Sequence, residues 1–154
     1  MPDLSKITLR LPDPTRIEDG ELSKSTRTRK RIMDSAVDCL AETGYTGTTT
    51  TTVAERAELT RTAMLYHFPT REALIEAAAE YVHEARMALM RETAANPPPG
   101  ADVAEHAIDV YWSLLHQTPF LAFAELEAVA RTDPMVAERL APYREAFDRA
   151  QIGE

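Results

Sequence analysis

The sequence predicts an all-α protein with a helix-turn-helix near its N-terminus. Three observations carry this. Apolar residues recur at helical spacing in segment after segment from Ile32 onward. The segments are punctuated by helix stops and caps: Gly44, Thr60, Pro69-Thr70, the run Pro97-Pro98-Pro99-Gly100, and Asp133-Pro134. Between Thr48 and Arg71, two short helical patterns sit back to back across a tight gap. A short helix, a turn and a second short helix form the unit that most often carries a helix into the DNA major groove.

The elements follow in order. Residues 1–23 are polar, hold Pro12 and Pro14 and show no sustained period, which predicts a flexible arm. A first helix follows, with Ile32, Ala36, Val37, Cys39 and Leu40 on its apolar face and Gly44 as its stop. The short pair spans Thr50 to Ala57 and Thr60 to Phe68, with Thr60 suited to cap the second member. Pro69 ends that helix and Thr70 can cap the next. A long helix from about Arg71 to Thr93 should bury Leu74, Ala77, Ala78, Tyr81, Val82, Ala85 and Leu89. A helix from about Asp102 to His116 should turn Val103, Ala107, Val110, Tyr111 and Leu114 inward. Pro119 opens another, running to about Arg131. The last starts at Pro134 and carries Val136, Leu140, Tyr143 and Phe147, with Pro142 expected to kink or break it.

At 154 residues and 44% hydrophobic content, the chain can bury a core as one domain or two small ones. No stretch of about 18 apolar residues is present, so no membrane partner is expected. The N-terminus shows no apolar signal segment. Cys39 is the sole cysteine, which fits a reducing cytoplasm. The formal net charge of -8 argues against a general nucleic-acid coat. Its distribution qualifies that: residues 24–72 balance at +2 and residues 73–154 at -8. A DNA-facing head on an acidic body has this pattern. The second short helix offers Arg61, Thr62, Tyr66 and His67 as donors to phosphate or base edges, and Ala63 permits close approach.

The block GYTGTTTTTVAERAELTRTAMLYHFPTREALI, Gly44 to Ile75, with the preceding RKRIMDSAVDCLAETG, resembles the DNA-binding domain of the tetracycline-repressor (TetR) family. The Gly-Tyr, Ala-Glu-Arg-Ala, Tyr-His-Phe-Pro and Arg-Glu-Ala-Leu anchors fall in order at matching spacing. The resemblance covers about a third of the chain. It implies domains at 24–72, a helix-turn-helix DNA-binding unit, and at 73–154, a helical ligand-binding and dimerisation body that is apparently incomplete. It places Arg61, Thr62 and Ala63 at base-reading positions, Tyr66 and His67 against the backbone, and Arg71 on a phosphate, and it includes Thr60 and Leu65 in the DNA-binding set. Thr49 and Thr51 fall at the phosphate-facing edge of the first short helix. Leu65 stands where most relatives carry a Tyr, Glu58 where a Gly makes the turn, and Thr50 at an apolar position. A left-handed Glu58 would cost about 1–2 kcal/mol.

The implied partners are double-stranded operator DNA, an unidentified small-molecule effector and, with a complete C-terminal bundle, a second copy. No cofactor or metal is implied. Candidates for lining an effector pocket are Trp112, His116, Phe120, Phe123 and Glu127. The apolar face of the last helix is expected to stay partly uncovered, because the chain ends before a further helix could cover it. Two other readings stand beside the ligand-responsive repressor. One is an interaction protein that has lost DNA binding, suggested by Leu65 and Glu58. The other is a carboxylate metal enzyme, suggested by the Glu80-x-x-His83 spacing, which would need a second such pair. No catalytic constellation is readable, and the expectation is that the protein is not an enzyme.

Overall fold

The computed structural model describes residues 24–152, with side chains to residue 150. The arm expected at residues 1–23 lies outside the described residues. The described chain forms seven helices: α1 Lys24–Gly47, α2 Thr50–Arg56, α3 Arg61–His67, α4 Arg71–Ala94, α5 Val103–Leu114, α6 Thr118–Ala130 and α7 Pro134–Ile152.

Local chemistry explains the boundaries. Gly44 adopts φ 76°, ψ 178° and breaks the regular helix of α1, leaving a short turn to Gly47. Thr49 caps α2 in a reciprocal box: its hydroxyl accepts from Thr52 N–H at 3.1 Å, and its own N–H donates to Thr52 Oγ1 at 3.0 Å. Thr48 is buried and donates its hydroxyl to Gly44 O at 2.8 Å. The threonine run thus builds the α1–α2 loop. Thr60, Thr70 and Asp102 cap α3, α4 and α5 through their side chains. Gln117 occupies the cap position of α6 without a side-chain bond, and Pro119 sits in its first turn.

One core runs through the head and into the body. Ile32, Ala36, Val37 and Leu40 of α1 pack with Val53, Met64, Phe68 and Leu74, and with Ala122 and Leu126 of α6. α6 lies most extensively against α1 and also touches α4 and α7. A second cluster, Leu89, Val110, Leu114 and Phe120, closes the far end of α4 and α5.

Three expectations are corrected. On α5 only Val110 and Leu114 are buried; Val103 is 81% exposed, and Ala107 and Tyr111 are exposed too. The helix touches the body along a narrow stripe, so its wider apolar face meets solvent. α7 runs through Pro142 without a break. Its Val136, Leu140 and Phe147 are buried rather than uncovered, because α4 and α6 already cover that face.

Candidate nucleic-acid interface and body cavity

The head presents α3 outward. Met64 on its inner face is 1% exposed and Phe68, its C-cap, is 3% exposed. That anchoring leaves Arg61, Thr62 and Tyr66 on the outer face, with Tyr66 81% exposed. Its ring meets the His67 imidazole edge-on at 5.2 Å. An exposed tyrosine beside arginine and threonine on a rigid short helix suits phosphate and base-edge contact. Ala63 and Leu65 are partly covered. Burial, and then the charge of Arg29, hold the His67 pKa below its ordinary value. Arg29 itself lies over the Phe68 ring at 4.5 Å.

The turn between α2 and α3 is made by Glu58 at φ 54°, the left-handed conformation expected where relatives carry glycine. Leu59 N–H donates to Ala54 O at 2.9 Å and closes the turn. Glu58 is exposed, so the turn places a carboxylate on the same end of the domain as Thr60 and Arg61.

Two expected contact residues are otherwise occupied. Arg71 points inward: Nε donates to Thr48 O at 2.9 Å, Nη2 donates to Tyr45 O at 2.5 Å, and the guanidinium stacks on Tyr45 at 4.3 Å. The geometry makes it a clamp on the α1–α2 loop. The Thr49 hydroxyl is engaged in its cap, whereas Thr51 is exposed. Other head charges are paired as well. Arg56 binds Glu42 at 2.7 Å and Asp38 at 3.3 Å, and Lys30 binds Asp34 at 2.7 Å. Arg27, Arg31 and Arg61 remain exposed. Residue counting could not separate the Arg56 pairs, because they join α2 to α1, whereas Lys30 and Asp34 stand one turn apart on α1.

The body bears an open cavity of about 490 Å³ between α4, α5, α6 and α7. Of the candidates named from the sequence, Phe120, Phe123 and Glu127 line it. Trp112 and His116 do not. Trp112 is 65% exposed, two residues from buried Val110 and so on the opposite side of α5, and His116 is exposed in the turn after that helix. Sequence reasoning missed Arg86, which reaches the cavity from α4. The available signal was its place four residues after buried Val82 and three before buried Leu89. Arg144 and Phe147 of α7 complete the wall, with Arg144 Nε donating to Glu127 Oε1 at 2.6 Å.

Glu80 and His83 are not brought to one site. Glu80 is exposed, while the buried His83 ring packs on Tyr143 at 5.1 Å. No group of three or more metal-ligating side chains occurs among the described residues, and no described helix is long and apolar enough to cross a membrane.

The described chain is thus a capped helix-turn-helix packed on a helical body with an open cleft. Residues 32–78, the head of the chain, match the family of bacterial regulatory proteins described as tetR. The chain is 32% identical over 66 residues to the HTH-type transcriptional regulator YvkB of Bacillus subtilis, itself uncharacterised, covering 43% of this chain and 35% of YvkB. It is 26% identical over 118 residues to the HTH-type transcriptional regulator CymR of Pseudomonas putida, covering 77% of this chain and 58% of CymR. The chain therefore spans between about a third and three fifths of these relatives. A crystal structure of the multidrug-binding protein EbrR with imidazole aligns at TM-score 0.60 and 26% identity, over 83% of this chain and 69% of that one. GusR of Salmonella enterica shares the fold at TM-score 0.62 and 23% identity, over 88% of this chain and 74% of that one.

Proposed function

We propose that this chain acts in the cytoplasm as a ligand-responsive transcriptional repressor, working by binding rather than by catalysis. Two copies would read a near-palindromic operator. The observation that carries this is the exposed row Arg61, Thr62 and Tyr66 on a short helix whose other face is locked by Met64 and Phe68. Two such helices enter successive major grooves when they stand about 34–36 Å apart. An effector that favours another spacing releases the DNA, by as much as its affinities for the two states differ.

The route from cavity to head supports the reading. α4 begins at Arg71, which clamps the α1–α2 loop, and carries Arg86 into the cavity about 22 Å further along. α6 lines the same cavity and packs on α1. A shift of either helix therefore has a mechanical path to the reading heads.

The test is fluorescence anisotropy with DNA from immediately upstream of the coding region. The expected result is saturable binding whose affinity falls steeply with salt and exceeds that for scrambled DNA. Equal affinity for both DNAs would count against operator recognition.

A further inference from the structure

The body cavity holds a cation whose hydrogen bonds are unmade. Arg86 is 5% exposed. Its guanidinium carbon lies 3.6 Å from the ring centre of Phe123, 4.2 Å from that of Phe147 and 5.3 Å from that of Phe120. Nε and Nη1 are buried and have no hydrogen-bond partner among the described residues. Burial pushes its pKa down to about 10, so it stays charged at neutral pH. Three ring faces offset part of the cost of burying that charge. They do not satisfy the N–H groups, and unmade bonds to a buried charged group are expensive.

The cavity's own carboxylates do not fill this role. Glu127 is held by Arg144 at 2.6 Å. Asp148 is exposed on the wall. With Glu127 and Arg144 paired, Arg86 is the buried charge on this wall that lacks an ion partner; its unpaired Nε and Nη1 lie beneath the surface, so a ligand bonds them only where the surrounding rings give way.

On the reading of this cavity as the effector chamber, we propose that its ligand is a small carboxylate with an aromatic or similarly flat apolar body, anchored by Arg86. A guanidinium offers donors in a planar array that suits a carboxylate. The Phe120, Phe123 and Phe147 rings and Leu115 supply apolar wall for the rest of the molecule. A cationic ligand fits less well, because the chain's own guanidinium already occupies the aromatic faces that would attract it. A neutral ligand without acceptors would leave the Arg86 N–H groups unsatisfied. A doubly charged phosphate is disfavoured against a monoanion, because Glu127 and Asp148 stand on the same wall.

Isothermal titration of the full chain with 2-naphthoate, 2-naphthamide and 2-naphthylmethylammonium tests this. The expected order is naphthoate tightest, by about tenfold or more over the amide, with the ammonium weakest. Arg86→Met should erase the preference for naphthoate over the amide. Arg86→Lys keeps the charge but loses the planar array; it should lower the preference at least about threefold, and it serves if the methionine variant does not fold. The proposal is overturned by equal binding of acid and amide, by tightest binding of the ammonium, or by no naphthoate binding at millimolar concentration. A preference unchanged in a folded Arg86 variant overturns it as well. Operator binding by ligand-free protein is read in parallel. Its loss counts against the helix-turn-helix reading and leaves the ligand class standing, and the reverse outcome separates the two in the same way.

Discussion

The backbone N–H of Tyr45 donates to Glu125 Oε1 at 2.8 Å, tying the end of α1 to the middle of α6. The same carboxylate crowds Gly44: a Cβ built there would stand 2.9 Å from Glu125 Oε1. Gly44 is thus required twice, by its φ of 76° and by the close approach of a side chain from the body. One contact joins the head's first helix to a wall of the cavity.

Glu125→Ala should remove the partner of the Tyr45 N–H and lower stability by about 1–2 kcal/mol. Gly44→Ala should cost about 1 kcal/mol or more from its backbone conformation alone, with the clash added. In the double variant the clash disappears and the backbone term stays. Urea denaturation of the two singles and the double would show a sum larger than the double. Strict additivity would mean that Glu125 swings away freely.

Arg61→Ala should weaken operator binding by about 1–3 kcal/mol and relax preference at one position per half-site. Arg61 is exposed at the first turn of α3. Selection from a randomised operator library reads the preference directly, and a profile identical to wild type would remove Arg61 from the base-reading set.

Arg71→Ala should act on the fold. Its bonds to Thr48 O and Tyr45 O would be lost, along with its stack on Tyr45, at a cost of about 1.5–3 kcal/mol. The salt slope of DNA binding should be unchanged. A slope flattened by about one unit with stability intact would return Arg71 to the phosphate-contact role that the resemblance implies.

Glu58→Gly should stabilise the head by about 0.5–1 kcal/mol. Relief of a left-handed side chain, about 1–2 kcal/mol, outweighs the added entropy of glycine in the unfolded chain. It also removes an anion beside the reading helix, so DNA affinity should rise, most at low salt. A lower denaturation midpoint would show that Glu58 contributes an interaction larger than its strain.

Acidification should destabilise the protein through its imidazoles. Burial pulls the His83 pKa below 6.5, opposed by Glu84 and assisted by Arg86 and Arg91. His67 shifts in the same direction. The unfolded chain therefore takes up protons first. Stability is full above the unfolded value of about 6.5, falls as pH drops below it, and levels off once the folded imidazoles also protonate. Denaturation at pH 7.5, 6.5 and 5.5 should show this fall, and His83→Phe should flatten part of it. Parallel curves for variant and wild type would assign the dependence elsewhere.

What the sequence by itself determined is what adjacent residues decide. The caps at Thr60 and Thr70 were legible because each bonds within three residues of itself. Gly44 was legible as a stop for the same local reason, whereas the left-handed turn at Glu58 was legible only through the resemblance, at a position where relatives carry glycine. The outward face of α3 followed from its period, since Met64 and Phe68 one turn apart leave Arg61, Thr62 and Tyr66 on the other side. Only the tertiary structure decided where long polar side chains end. Arg71 reaches two carbonyls more than twenty residues earlier in the chain, and Arg86 enters a cavity walled by rings of α6 and α7. Trp112 faces outward because α5 meets the body along one narrow stripe, although its composition allowed a wider one. A period selects a helix face, but how helices cross selects what that face meets. Charges and aromatics have their roles assigned by that crossing.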